Sequence, residues 1–225
     1  MLRYSTPYLD TREIWQSLLA WPEMRLEAQP NGQWRGHWQA QAVLEMTWPL
    51  YCPLPDENEN PEEYFKQLPD LPPDYLILLI QAGQAALGHY EAGALLNHKV
   101  IRKYMVRAKQ GKAQTSHLKT KGKSRAGSRI RLAQTDLFFE EINEKLQDWE
   151  VHSVEKIFVS TAQVWWNHLF EADTCPPFEK KDVRLVKIPL TVQAPNFEEL
   201  ERVQAYLSQA HWQIQEDWEN ELFPV

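Results

Sequence analysis

The run YLILLIQAG, Tyr75 to Gly83, constrains the fold more than any other stretch. It is apolar without interruption from Tyr75 to Ile80 and follows Pro72-Pro73, so it reads as a strand entered from a break in regular structure. QAALGHYEAGALL and VIRKYMVRA (Val100 to Ala108) follow at hairpin spacing, which predicts three consecutive antiparallel strands. A helix is then expected over Ser128 to Trp149, with Ile130, Leu137, Phe138, Ile142 and Leu146 in one apolar stripe. KIFVS (Lys156 to Ser160) reads as a buried strand, Gln163 to Ala172 as a second helix, VRLVKIPL as a strand, and Asn196 to Gln209 as a third helix with acidic FEEL in its first turn. The order βββαβαβα implies an α+β domain, close to α/β: one mixed sheet with helices packed on its faces, as in ribonuclease-H-like domains.

Before Pro73 the composition differs. Five of the ten tryptophans (Trp15, Trp21, Trp34, Trp38, Trp48) and ten of the fifteen prolines lie there. Asp10 to Ala20 suits a short helix capped by Asp10 or Thr11. PNGQ at Pro30 to Gln33 is a turn between two strand-like pieces, and LPDENENPEEYFKQLPDLPPD reads as a linker with one helical turn. The division expected is therefore an accessory region over 1–73, a catalytic domain over 74–212 and a tail over 213–225. No apolar run approaches the roughly 20 residues needed to cross a bilayer, and MLRYSTPYLD lacks the apolar core of a signal peptide. A soluble, cytoplasmic protein without membrane partners is expected. Cys52 and Cys175 form no CxxC pair and read as structural thiols, so neither a zinc site nor a disulfide framework is implied.

Charge is partitioned along the chain. The net charge is −7, yet residues 92–135 hold 12 of the 24 lysines and arginines and no carboxylate, which leaves 12 basic residues against all 31 acidic ones elsewhere. Solvated surfaces usually mix signs. A single-sign stretch of this density points to a polyanion, because each phosphate neutralised by Lys or Arg releases condensed counterions.

Within that stretch, VRAKQGKAQ, then AGSRIR, a helix ending in LQDW, the strand KIFVS, and KIPLTVQAPNFEELERV together resemble the Vms-type release-factor-like domain. That family includes the ankyrin-repeat and zinc-finger peptidyl-tRNA hydrolases of eukaryotes and shorter bacterial relatives, and it is similar to the middle domain of eukaryotic class-1 release factors. The resemblance covers about Pro73 to Trp212 and leaves the first 70 residues outside it. It implies that Gln114 is the functional glutamine and Gly111 the loop glycine before it, and that the substrate is peptidyl-tRNA on a ribosome, by expectation on the large subunit, with the protein monomeric off it. Lys103, Arg107, Lys109, Lys112, Arg125, Arg129 and Arg131 are the candidate contacts to tRNA or ribosomal RNA phosphates. Two departures stand out: Ala113 precedes Gln114 where release factors have glycine, and LAQT follows AGSRIR where relatives often carry arginine and Tyr-Asn-Glu.

A glutamine does not titrate near neutrality, so Gln114 can position or polarise but cannot act as an acid or base. Two chemistries follow. It can place a water at the peptidyl ester, or the family's scission of tRNA near the 3′ CCA end can proceed through the ribose 2′-hydroxyl, with Lys112, Arg129 or Arg131 stabilising charge on the phosphate. Neither needs a cofactor or metal. His117 is a candidate proton carrier, though a solvated loop histidine is the simpler reading. A two-metal nuclease needs converging carboxylates, and the predicted strands offer little beyond Asp74, Glu91 and Glu155. The third class is a non-catalytic tRNA- or ribosome-binding module.

Overall fold

The structure, a computed structural model, describes residues 1–103 and 124–223, with the backbone alone for 124–133. In chain order the elements are β1 (Leu2–Pro7), α1 (Tyr8–Ala20), β2 (Met24–Ala28), β3 (Trp34–Trp38), β4 (Gln41–Thr47), α2 (Pro61–Gln67), β5 (Tyr75–Gln81), β6 (Gln84–Glu91) and β7 (Ala94–Arg102). There follow α3 (Ser124–Asp148), β8 (Lys156–Thr161), α4 (Gln163–Glu171), β9 (Leu185–Lys187), α5 (Phe197–Ser208), β10 (Gln209–Ile214) and α6 (Glu219–Leu222). The chain divides into two compact units, one of residues 1–73 and 204–225 and one of 74–203.

In the unit of 74–203 the order is the βββαβαβα read from sequence, and its sheet runs β7-β6-β5-β8-β9. β5, β6 and β7 are antiparallel, whereas β8 lies parallel to β5 and β9 parallel to β8. The apolar run occupies the central strand because each of Leu76 to Ile80 is fully buried, as a strand covered on both faces must be. Leu76, Leu78 and Ile80 share a core with Phe138, Phe139, Ile142 and Leu146 of α3 and Leu169 of α4. On β6, a Cβ at Gly88 would stand 2.8 Å from Tyr90 Cε2 and 3.0 Å from Leu200 Cδ2, so α5 approaches the strand as closely as glycine permits.

Three local expectations change. The second hairpin turns at Ala92-Gly93, with φ of 47° and 83°, so the third strand starts at Ala94 and not Val100. EAGA looked like uninterrupted strand because alanine rarely adopts the left-handed conformation that this turn imposes. Residues 104–108 of the expected strand lie outside the described residues. α3 begins at Ser124, four residues before the expected start at Ser128. Leu137 is 53% exposed and drops out of the apolar stripe, its place taken by Phe139.

The other unit is more than an accessory hairpin. Its antiparallel sheet has the order β1-β10-β4-β3-β2, and β10 pairs with both β1 and β4. The division therefore falls after Val203, not after Trp212: the C-terminal strand satisfies its backbone groups between strands supplied by the N-terminus. PNGQ does form the β2–β3 turn, with Gln29 N donating to Gln33 O at 2.8 Å and Gly32 at φ 78°. The expected linker is packed. Asn60 caps α2 by accepting from Glu62 N and Glu63 N, and fully buried Tyr64 lies 5.2 Å from the Trp34 ring. Trp15 completes this aromatic core, 5.0 Å from Trp34 and 5.5 Å from Trp48.

Candidate nucleic-acid interface

The basic segment leaves the sheet at one defined place. Lys103 N donates to Gly83 O at 2.9 Å, which puts the end of β7 beside the β5–β6 turn and therefore at the C-terminal end of β5. β8 is parallel to β5, so its C-terminal end and the start of α4 lie along the same edge. Glu141 of α3 meets this edge too, its carboxylate 2.8 Å from Lys103 Nζ and 3.8 Å from Lys99 Nζ. A helix rises about 1.5 Å per residue, so Arg131 lies roughly 15 Å and Arg125 roughly 24 Å along α3 from Glu141. The C-terminal end of α3 leads back to the start of β8 at the opposite edge, so the turns carrying these arginines run away from the sheet.

Of the residues selected from sequence, Arg107, Lys109, Gly111, Lys112 and Gln114 lie outside the described residues, as does His117. Arg125, Arg129 and Arg131 are placed in the first two turns of α3. Lys103 sits at the root of the segment, already paired with Glu141, so a phosphate there competes with a carboxylate.

The sequence reading missed what fastens this edge. Gln81 Nε2, at the end of β5, donates to Val192 O at 3.0 Å and Gln193 O at 2.6 Å. Gln193 N in turn donates to Glu199 Oε1 at 2.7 Å. Arg202 grips Glu199 with Nε and Nη2, both at 2.8 Å, and reaches Thr191 O at 3.1 Å. These hydrogen bonds from Arg202 hold the Glu199 carboxyl below its ordinary range. Asn196 caps α5, accepting from Glu199 N at 2.7 Å. The block KIPLTVQAPNFEELERV is thus a strap tied over the end of β5. The Asn-x-x-Glu spacing of Asn196 and Glu199 was the visible signal for it.

On the far side, buried Asn143 of α3 donates from Nδ2 to Leu169 O and Thr174 O, each at 2.7 Å, and fixes the end of α4. Two cavities flank α4. One, of about 370 Å³, is lined by Asp136, Glu140, Glu171 and Asp173 with Phe139 and His168. The other, a groove of about 300 Å³ on the β9 side, has no carboxylate in its walls.

The carboxylates weighed for a metal nuclease lie elsewhere. Asp74 precedes β5, Glu155 precedes β8 and Glu91 ends β6, all at the edge opposite the root of the basic segment. Asp74 ties this edge together: its Oδ1 accepts from Ala92 N, beside Glu91, at 3.2 Å and its carbonyl accepts from Glu155 N at 2.8 Å. Among the described residues no three His, Cys, Asp or Glu side chains are grouped to hold a metal ion, and no helix is long and apolar enough to cross a membrane.

Residues 75–215 match the family described as Bacteroidetes VLRF1 release factor. The human tRNA endonuclease ANKZF1 is 29% identical over 168 residues, an alignment covering 71% of this chain and 23% of the human protein. The Saccharomyces cerevisiae tRNA endonuclease VMS1 is 31% identical over 121 residues, 52% of this chain and 19% of the yeast protein. The chain thus spans less than a quarter of the length of these relatives. The solved Vms1 mitochondrial localization core has the same fold, with a TM-score of 0.52 at 15% identity over 90% of this chain and 96% of that one. The likeness of fold covers more of the chain than the family match, which begins at residue 75 and leaves out the first 70 residues as the resemblance in sequence does.

Proposed function

The chain belongs to the Bacteroidetes VLRF1 release factor family, and from that membership we propose that it frees nascent chains on stalled ribosomes by cutting peptidyl-tRNA near its 3′ CCA end. The observation that carries this reading is the family match over 75–215, which takes in the whole basic segment with Gly111 and Gln114. The relatives named tRNA endonucleases point the same way.

The chemistry needs little from the protein. A ribose 2′-hydroxyl gives up its proton to solvent and attacks the adjacent phosphorus, the bond to the 5′-oxygen breaks, and that oxygen takes up a proton as it leaves, so the step conserves protons and consumes no water. The tRNA is left with a cyclic 2′,3′-phosphate, and the peptide departs on a few nucleotides with a free 5′-hydroxyl. Lys112, Arg129 and Arg131 stabilise the charge gathering on the phosphate, and the Gln114 amide positions the reacting groups without adding charge. Lys109, Arg107 and Arg125 hold the flanking phosphates. The protein works in the cytoplasm on the large ribosomal subunit and is monomeric away from it.

The test incubates large subunits carrying labelled peptidyl-tRNA with wild type and Gln114→Ala in chelator, and resolves the RNA at single-nucleotide length. Wild type is expected to shorten the tRNA, and Gln114→Ala to slow this by roughly 100-fold with binding unchanged. Freed peptide with intact tRNA would instead establish ester hydrolysis. Salt-sensitive binding without release from either protein would leave a docking module.

A further inference from the structure

The two cavities beside α4 differ in what they admit. The one toward α3 presents four carboxylates, a poor path for a phosphate backbone. The groove toward β9 is walled by Val159, Leu185, Val186 and the Trp166 indole, with Thr161, Gln163 and Lys187 as its polar members. Lys187 makes no ion pair among the described residues, so its ammonium is available to an anion.

We propose that this groove receives one unpaired nucleobase of the bound RNA, stacked on Trp166, with Lys187 on its phosphate. The inference rests on the reading of the protein as a factor that acts on RNA, and it adds a base subsite to it. Four observations carry it. The groove opens at the C-terminal ends of β8 and β9 and the start of α4, along the edge where the basic segment is rooted. In the strand order β7-β6-β5-β8-β9 it lies three to four strand spacings, roughly 14–19 Å, from the root at the end of β7. Its volume, about 300 Å³, stands at the small end of ligand pockets and suits a single base. Finally, Trp166 is already fixed by Phe170 at 5.0 Å and Phe178 at 6.2 Å, so little freedom is lost when a base stacks on it. Every base offers a π-face, which makes such a subsite tolerant of sequence.

Trp166 also supports its aromatic neighbours, so the test fills the groove and leaves the indole in place. Anisotropy of a labelled single-stranded RNA heptamer is measured with the full chain as wild type, Lys187→Gln and Thr161→Tyr, and repeated with abasic ribose replacing each nucleotide in turn. In wild type one abasic position is expected to weaken binding about tenfold. Lys187→Gln should weaken the intact heptamer a few-fold, and in Thr161→Tyr the abasic penalty should vanish. An abasic penalty equal in wild type and Thr161→Tyr overturns the subsite while leaving RNA binding intact. Absence of RNA binding by the wild type overturns the release reading itself, and the subsite with it.

Discussion

The two units of this chain are opposites in charge and in core. The unit of 1–73 and 204–225 holds 5 Lys and Arg against 15 Asp and Glu, a balance of −10, whereas the unit of 74–203 holds 19 against 16, a balance of +3. The first is built around buried Trp15, Trp34, Trp212 and Tyr64, the second around the aliphatic run of β5. The difference separates two tasks. A unit of strong negative charge repels a polyanion whatever its shape, so under the proposed function RNA would contact the other unit, whose positive charge is concentrated in a single segment. Large aromatic side chains let the acidic unit bury much apolar area with few residues.

Core truncation tests the contrast with the largest expected effect. Trp34→Ala should destabilise the protein by about 3–5 kcal/mol in chemical denaturation, at or above the ~2–5 kcal/mol expected for Leu78→Ala in the other unit. A loss below about 1 kcal/mol at Trp34 would show that the aromatic cluster is not the core of its unit. Next comes the charge. Replacing Arg129 and Arg131 by glutamine together should flatten the dependence of log K on log salt for single-stranded RNA by about 1.4. An unchanged slope breaks the assignment of α3 to phosphate contact. The smallest effect is a pH dependence placed in the 74–203 unit. Burial lowers the pKa of His89, against the opposing influence of Asp74 and Glu91, so the unfolded chain binds the proton more readily than the folded one. Stability should therefore be complete above about pH 6.5 and fall as pH drops from there toward the folded pKa. Urea midpoints between pH 7.5 and 5.5 should show a steeper decline for wild type than for His89→Leu. Equal slopes would remove His89 from the account.

The legible parts of the fold were those with a local cause. The apolar run of β5, most of the apolar stripe of α3, the acidic first turn of α5 and the turn at PNGQ each follow from neighbouring residues, and each is present. The hairpin at Ala92-Gly93 was missed because an alanine takes a conformation that its own chemistry disfavours, held there by pairing on both sides. The linker was misjudged for a related reason: its carboxylates and most of its prolines describe its exposed residues, while buried Tyr64 and Leu68 carry its packing. Of the strap, the cap at Asn196 and Glu199 left a local signal, but its tie to β5 did not, because Gln81 and Gln193 are 112 residues apart and look like ordinary polar residues until they meet.

By itself the sequence determined the order βββαβαβα, the charge partition and the family, since all three are written in residues that stand near one another or recur in ordered blocks. Only the tertiary structure decided which chain ends share a sheet. It also placed the acidic cavity and the carboxylate-free groove on opposite sides of α4, and the candidate metal carboxylates at the edge away from the basic segment. These are consequences of strand pairing between distant segments, and pairing is chosen by the burial of whole faces and the satisfaction of backbone groups, which no local pattern records.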